Sequence, residues 1–223
     1  MGLSNQSMER RGSGRASIKE TIMHAFASTS APVHTLWDAP QTAEQRLPGI
    51  WSVSTASHGG FVLSDERQAA MPEALRLDSI YYEEDVDWSL VVLAFEAEFA
   101  ALRDPLFDLE RDLAHQTARH WRPKHYSGFT GQVLEPSDSY VLRKIALLEA
   151  AIGEIGVQAA WGDWADWVPA GKVGVVGQRI TGCDHLGFAK YDGPSVKGLV
   201  DASRYEARDT GRTFKSIGVE VIA

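Results

Sequence analysis

Cysteine is almost absent: Cys183 is the only one in 223 residues. That excludes an internal disulfide and any zinc site built on several thiolates. Long hydrophobic runs are lacking too. The longest, Trp88 to Leu102, is broken by Glu96 and Glu98, so it cannot serve as a membrane span of about 20 apolar residues. No apolar leader core follows the basic start, where Arg10, Arg11 and Arg15 run into Ser17-Ile18-Lys19-Glu20, and a cytoplasmic location is expected. Met1-Gly2 opens like a myristoylation signal, but Gln6 stands where that signal needs Ser or Thr. Several enzyme signatures are missing as well: the P-loop, a GxGxxG after a strand, the GxSxG elbow and HExxH. No motif assigns a cofactor.

What is present is acid, and it is unevenly spread. The formal net charge is −8, yet residues 65 to 112 hold fourteen acidic against four basic groups. Residues 113 to 223 are nearly balanced, with thirteen basic against twelve acidic. One 48-residue block therefore carries more than the whole excess. Such a block repels nucleic acid directly and favours basic protein surfaces or cations.

The hydrophobic pattern predicts an α+β fold with a mixed or antiparallel sheet built from N- and C-terminal segments and a central helical layer. Residues 1–20, polar and short of apolar side chains, read as a disordered tail, with one domain over 21–223. Ile50, Trp51 and Val53 lie on one side of Ser57-His58-Gly59-Gly60, and Phe61 and Leu63 on the other, which predicts a hairpin turning on the glycines. Ser64 is expected to cap a short helix from Asp65 to about Ala70. The three- and four-residue steps of Trp88, Val91, Phe95, Phe99 and Leu102 predict one long helix from Glu83 to Arg103.

Asp104-Pro105 then opens a second helix, with Leu106, Leu109 and Leu113 as its buried face, ending near His120. A third is expected from Ser137 to about Ile155, carrying Val141, Ile145, Leu148 and Ile152. Further on, Lys172–Gly177, Leu199-Val200 and the alternation of Ile217, Val219 and Val221 read as strands, with a short helix over Asp201–Arg208.

Two places carry candidate chemistry. His58, at the hairpin tip, has the side chain best suited to act as a general base or metal ligand near neutral pH. The plainer reading is a turn with a backbone-bonded imidazole. Tyr81-Tyr82-Glu83-Glu84-Asp85-Val86-Asp87 is the densest polar cluster, and on a helix Glu83 and Asp87 share a face. Neighbouring carboxylates can hold a hard cation, although acids at a helix start also complement its dipole.

Other features weigh less. His115, His120 and His125 fall five apart, the wrong step for one helical face. Trp161, Trp164 and Trp167 suit a core or subunit contact better than a stacking platform between Asp163 and Asp166. Cys183 has His185 two residues on, a low-grade hint of a thiol nucleophile.

The run GIWSVSTASHGGFVLSDERQAAMPEALR and then YYEEDVDWSLVVLAF resembles an uncharacterised domain family carried on conjugative plasmids and in polyvalent mobile-element proteins. RPKHYSGFTGQVLEPSDSY and, more loosely, WVPAGKVGVVGQR with LVDASRYEARDTGRTF look like its second half, so the resemblance spans roughly residues 47 to 215. It implies a setting and no reaction. Proteins in such company often help incoming DNA survive host defences.

Two functions are expected on that basis. In the first, the chain is a non-enzymatic anti-CRISPR or anti-restriction factor that binds a basic, host nucleic-acid-handling protein. Its contacts would be Glu83, Glu84, Asp85, Asp87, Asp108 and Asp112, without direct nucleic-acid or membrane binding. In the second, it is a metal-dependent enzyme acting on nucleic acid or a nucleotide, with His58 as base and Glu83, Glu84 or Asp85 as ligands. Convergence of His58 with those acids would favour the enzyme; a convex row of acids would favour the binder.

Overall fold

Four strands near the N-terminus pair with their sequence neighbours: β1 (Thr42–Leu47), β2 (Ile50–Ser54), β3 (Gly59–Leu63) and β4 (Tyr81–Glu83), antiparallel in the order β1-β2-β3-β4. The structure, a computed structural model, describes residues 26–205 and 211–222. The expected tail over 1–20, and the end of the expected helix over Asp201–Arg208, lie outside the described residues.

Between β3 and β4, α1 (Asp65–Ala70) forms as expected, with the Ser64 hydroxyl accepting the Arg67 amide at 3.2 Å. Tyr82 then pins β4. Its buried hydroxyl donates to Gln68 Oε1 at 2.9 Å and accepts the Leu77 amide at 3.2 Å, while burial pushes its phenol pKa up.

The single helix expected over Glu83–Arg103 does not form. Glu83 ends β4, and helix resumes as α2 (Trp88–Ala94), breaks at Phe95 (φ −121°, ψ 27°) and restarts as α3 (Glu96–Ala101). Glu83 and Asp87, and likewise Glu84 and Trp88, therefore share no helical face. The break seats the Phe95 ring in the core, edge-on to Phe26 at 6.1 Å, and lets Glu98 on α3 reach Arg67 on α1 at 2.7 Å.

The next helix, α4 (Phe107–Trp121), starts two residues later than expected, because the Asp104 carboxylate accepts the Leu106 amide at 2.9 Å in a turn. Its buried face is also the opposite one. Phe107, Ala114 and Ala118 are buried, while Leu106, Leu109 and Leu113 are 67%, 59% and 44% exposed. Alanine at the seam lets α4 approach α2 closely, an advantage that outweighs the larger side chains. Then follow α5 (Pro123–Thr130) and α6 (Tyr140–Ala150), the latter capped by Ser139 and shorter than expected, with Ile152 exposed beyond its end.

The C-terminal strands β5 (Ile155–Trp161), β6 (Lys172–Cys183), β7 (Ala189–Asp201) and β8 (Glu220–Ile222) form their own antiparallel sheet in the order β5-β6-β7-β8. The fold is thus α+β and antiparallel, with the two ends of the chain closing two separate four-stranded sheets. Ile217 belongs to α7 (Phe214–Ile217), stopped by Gly218 at φ 68°, so strand pairing starts only at Glu220. The first sheet packs Phe61, Leu63 and Tyr82 on α2–α4; the second has a core of Val175, Val200, Phe214 and Ile217. Leu148 and Ala151, at the end of α6, meet Ile180 of β6.

Glu154 ties α7 to the start of β5. Thr213 donates to it at 2.6 Å and Lys215 at 3.2 Å, which hold its carboxyl below the usual glutamate range, the hydroxyl first. A depressed folded-state pKa stabilises above the ordinary range and is lost as pH falls through the lowered value. Glu154→Gln should therefore narrow the gap between urea midpoints measured near neutrality and at acid pH; an unchanged gap would count against this ion pair.

Candidate functional site

The β2–β3 connection is a hydrogen-bonded turn over Thr55–His58. The Thr55 amide and hydroxyl donate to His58 O at 2.7 and 2.9 Å, and the His58 amide donates back to Thr55 Oγ1 at 3.2 Å. The glycines expected to make this turn lie one step on, inside β3, where Gly59 pairs with Ser54 and Gly60 with Val53. Their role is close approach. A Cβ on Gly60 (φ +144°) would stand 2.1 Å from Tyr82 O, and one on Gly59 would stand 2.5 Å from Glu84 Oε2. With no side chain there, the Glu84 carboxylate folds across Gly59, whose carbonyl accepts the Glu84 amide at 3.0 Å.

The result is a three-residue cluster at the corner of the first sheet. One ring nitrogen of His58 and one carboxylate oxygen each of Glu83 and Glu84 lie within 4.8 Å of one another. His58 and Glu84 are exposed and Glu83 is half-buried. Glu83 is oriented by accepting the Asp85 amide at 2.8 Å. A divalent cation bound at about 2.0–2.2 Å holds its ligands roughly 3–4.2 Å apart, so small side-chain rotations close this set. One imidazole and two carboxylates suit manganese or zinc better than calcium, which prefers oxygen alone. Glu84 also lines a groove of about 290 Å³ with Ser52, Ser54, Thr42 and Trp88, so the cluster borders a concave surface.

The other predicted acids do not join it. Asp85 contributes no ligand atom to the cluster. Asp87 is turned away and ion-paired to Arg122 at 2.8 Å. Asp108 and Asp112, on α4, share Arg111 at 2.8 and 3.1 Å. Glu110 pairs with Arg46 at 3.1 Å and Glu98 with Arg67. Five of the fourteen acids of the block are thus ion-paired to arginine within the chain.

A family model described as a domain of unknown function, DUF7007, matches residues 30–152. The chain belongs to that family. The matched span holds the whole of the first sheet, α1 to α6 and the His58–Glu83–Glu84 cluster, and it ends before the second sheet. The DUF7007 model therefore reaches less far toward the C-terminus than the resemblance over 47–215 implies. No curated protein and no solved structure matches the chain. Among the described residues no helix is long and apolar enough to cross a membrane.

The remaining candidates of the sequence stand apart from the cluster. His115 makes a 3.3 Å contact with the Tyr126 hydroxyl, and His120 stacks on Tyr140 at 4.3 Å. Burial holds the pKa values of His120 and His125 below the ordinary histidine range, with cationic neighbours adding to the effect. The Cys183 thiol is pushed up by burial and then by Glu149 and Asp184, the opposite of what a nucleophile needs. Trp161 packs edge-on to Trp167 at 5.7 Å, whereas Trp164 is exposed.

Proposed function

We propose that the DUF7007 region of this chain holds a divalent cation on His58, Glu83 and Glu84, and that this centre serves hydrolysis of a phosphate-bearing substrate, a nucleotide or nucleic acid. The observation that carries this reading is the convergence of three ligand atoms from two elements that lie 25 residues apart in sequence. A bound cation supplies what an acidic corner otherwise lacks, attraction for phosphate and a more acidic water. His58 is then a ligand, and the Ser52, Ser54 and Thr42 hydroxyls in the groove beside Glu84 orient the substrate.

Calorimetry with manganese, magnesium and zinc tests this. Wild type is expected to bind at least one of them, with His58→Ala and Glu84→Gln at least about tenfold weaker. A folded wild type that takes up none of the three sinks the proposal.

A second reading is a cytoplasmic counter-defence factor from a mobile element that grips a basic host protein. The exposed row Leu106, Leu109 and Leu113 supports it, bordered by Asp108 and Asp112, two carboxylates against the one Arg111 they share, since an apolar strip with a net acidic rim fits a basic partner. Capture of a nuclease or CRISPR component that survives His58→Ala but fails with Leu109→Ser would favour this reading over the first.

A further inference from the structure

Between the end of α4, the start of α6 and the β6–β7 connection lies a cavity of about 690 Å³, within the usual size of small-molecule sites. Trp121, Tyr140, Leu147, Leu186 and Phe188 give it apolar walls. Trp121, Tyr140, Leu147 and Phe188 are each 46–60% exposed, so large apolar side chains gather here uncovered. The rings are held in place. His120 stacks behind Tyr140 at 4.3 Å, and the Trp121 and Tyr140 rings lie 5.6 Å apart. On the opposite wall Asp184 accepts the Leu186 and Phe188 amides at 2.8 and 2.9 Å, fixing the turn that presents Phe188.

The polar lining has one sign. Arg122, Arg143 and Lys144 line the cavity and no carboxylate does, in a chain whose net charge is −8. Arg122 is committed to Asp87 at 2.8 Å. Arg143 donates to Ser137 O at 3.2 Å and stands over the Tyr140 ring at 5.8 Å, and Lys144 stands over Phe188 at 4.8 Å. Among the described residues neither Arg143 nor Lys144 forms an ion pair with a carboxylate. Two cations beside aromatic faces, without a counter-ion, are arranged for a guest that brings both.

We infer that this cavity binds a ring-bearing organic anion, its flat apolar body between Tyr140 and Phe188 and its charged group at Arg143 and Lys144. The family-matched span supplies Trp121, Tyr140, Arg143 and Lys144, and the second sheet supplies Leu186 and Phe188. The site shares no residue with the His58 cluster and does not depend on it.

The test titrates the full chain with 1-naphthyl phosphate in the presence of EDTA, following tryptophan fluorescence and calorimetric heat. Chelation removes any cation at His58, so the two proposals fail separately. Saturable binding below about 1 mM is expected, with inorganic phosphate and 1-naphthalenemethanol each at least about tenfold weaker. The double variant Arg143→Gln/Lys144→Gln should lose about tenfold for the phosphate ester while binding the neutral alcohol as wild type does. Equal binding of ester and alcohol by wild type would overturn the inference whatever the variants do, as would the absence of saturable ester binding. An unweakened double variant with a wild-type urea midpoint would also overturn it.

Discussion

Arg67→Ala should cost about 3 kcal/mol or more of folding stability. Arg67 is fully buried on α1, and its guanidinium forks onto Glu98 of α3 at 2.8 and 2.7 Å. Its Nε donates to Pro48 O at 2.8 Å, in the β1–β2 turn. The same group lies 3.6 Å over the Phe26 ring and 4.6 Å over that of Phe95. One side chain therefore joins α1, α3 and the first hairpin, and its removal leaves a void and a carbonyl without its donor. Glu98 is 29% exposed and recovers some hydration, which moderates the loss. Arg67→Met, which keeps the volume, should lose about half as much. Urea unfolding of the three proteins checks the order; a loss below about 1 kcal/mol for Arg67→Ala would show that the fork is dispensable.

Gly60→Ala should be the most damaging change to the candidate site without touching any of its side chains. The added methyl would press on Tyr82 O at 2.1 Å, Trp37 Cη2 at 2.9 Å and Glu83 Cα at 3.0 Å, at a φ of +144° that alanine resists. Something must move, and the neighbour that can is β4, a three-residue strand. Stability is expected to fall by about 2–4 kcal/mol. Cation affinity should fall at least about tenfold, because Glu83 and Glu84 ride on the displaced strand. Gly153→Ala is the control: φ is +92° there, but nothing lies within 4 Å of the new Cβ. Only the backbone cost, about 1 kcal/mol, is expected at that position. If Gly60→Ala and Gly153→Ala lose equally, close packing of β3 on β4 is not what the glycine serves.

The parts of the fold that depend on near neighbours were legible in the sequence. Ser64 caps α1, the Ile50–Leu63 hairpin forms, and antiparallel pairing follows from short strands between turns. What depends on distant partners was not. The apolar rhythm runs on through Phe95, so periodicity alone cannot show that the helix breaks there. On α4 the leucines look like the core, but close helix packing selects Ala114 and Ala118, a choice fixed by the facing surface. Counting charge in a window likewise misses Asp87 with Arg122, 35 positions away, and Glu110 with Arg46, 64 away. His58 and Glu84 could each be singled out in the sequence, but their meeting depends on Gly59 leaving room between strands.

Both sheets are meanders in which every strand pairs with the one before it. Among the described residues every ladder of either sheet joins strands consecutive in sequence, a topology that favours rapid folding. The first sheet is complete once Glu83 has been made, long before β5 begins at Ile155. During synthesis the His58 corner can therefore assemble on the ribosome while the second sheet is still untranslated.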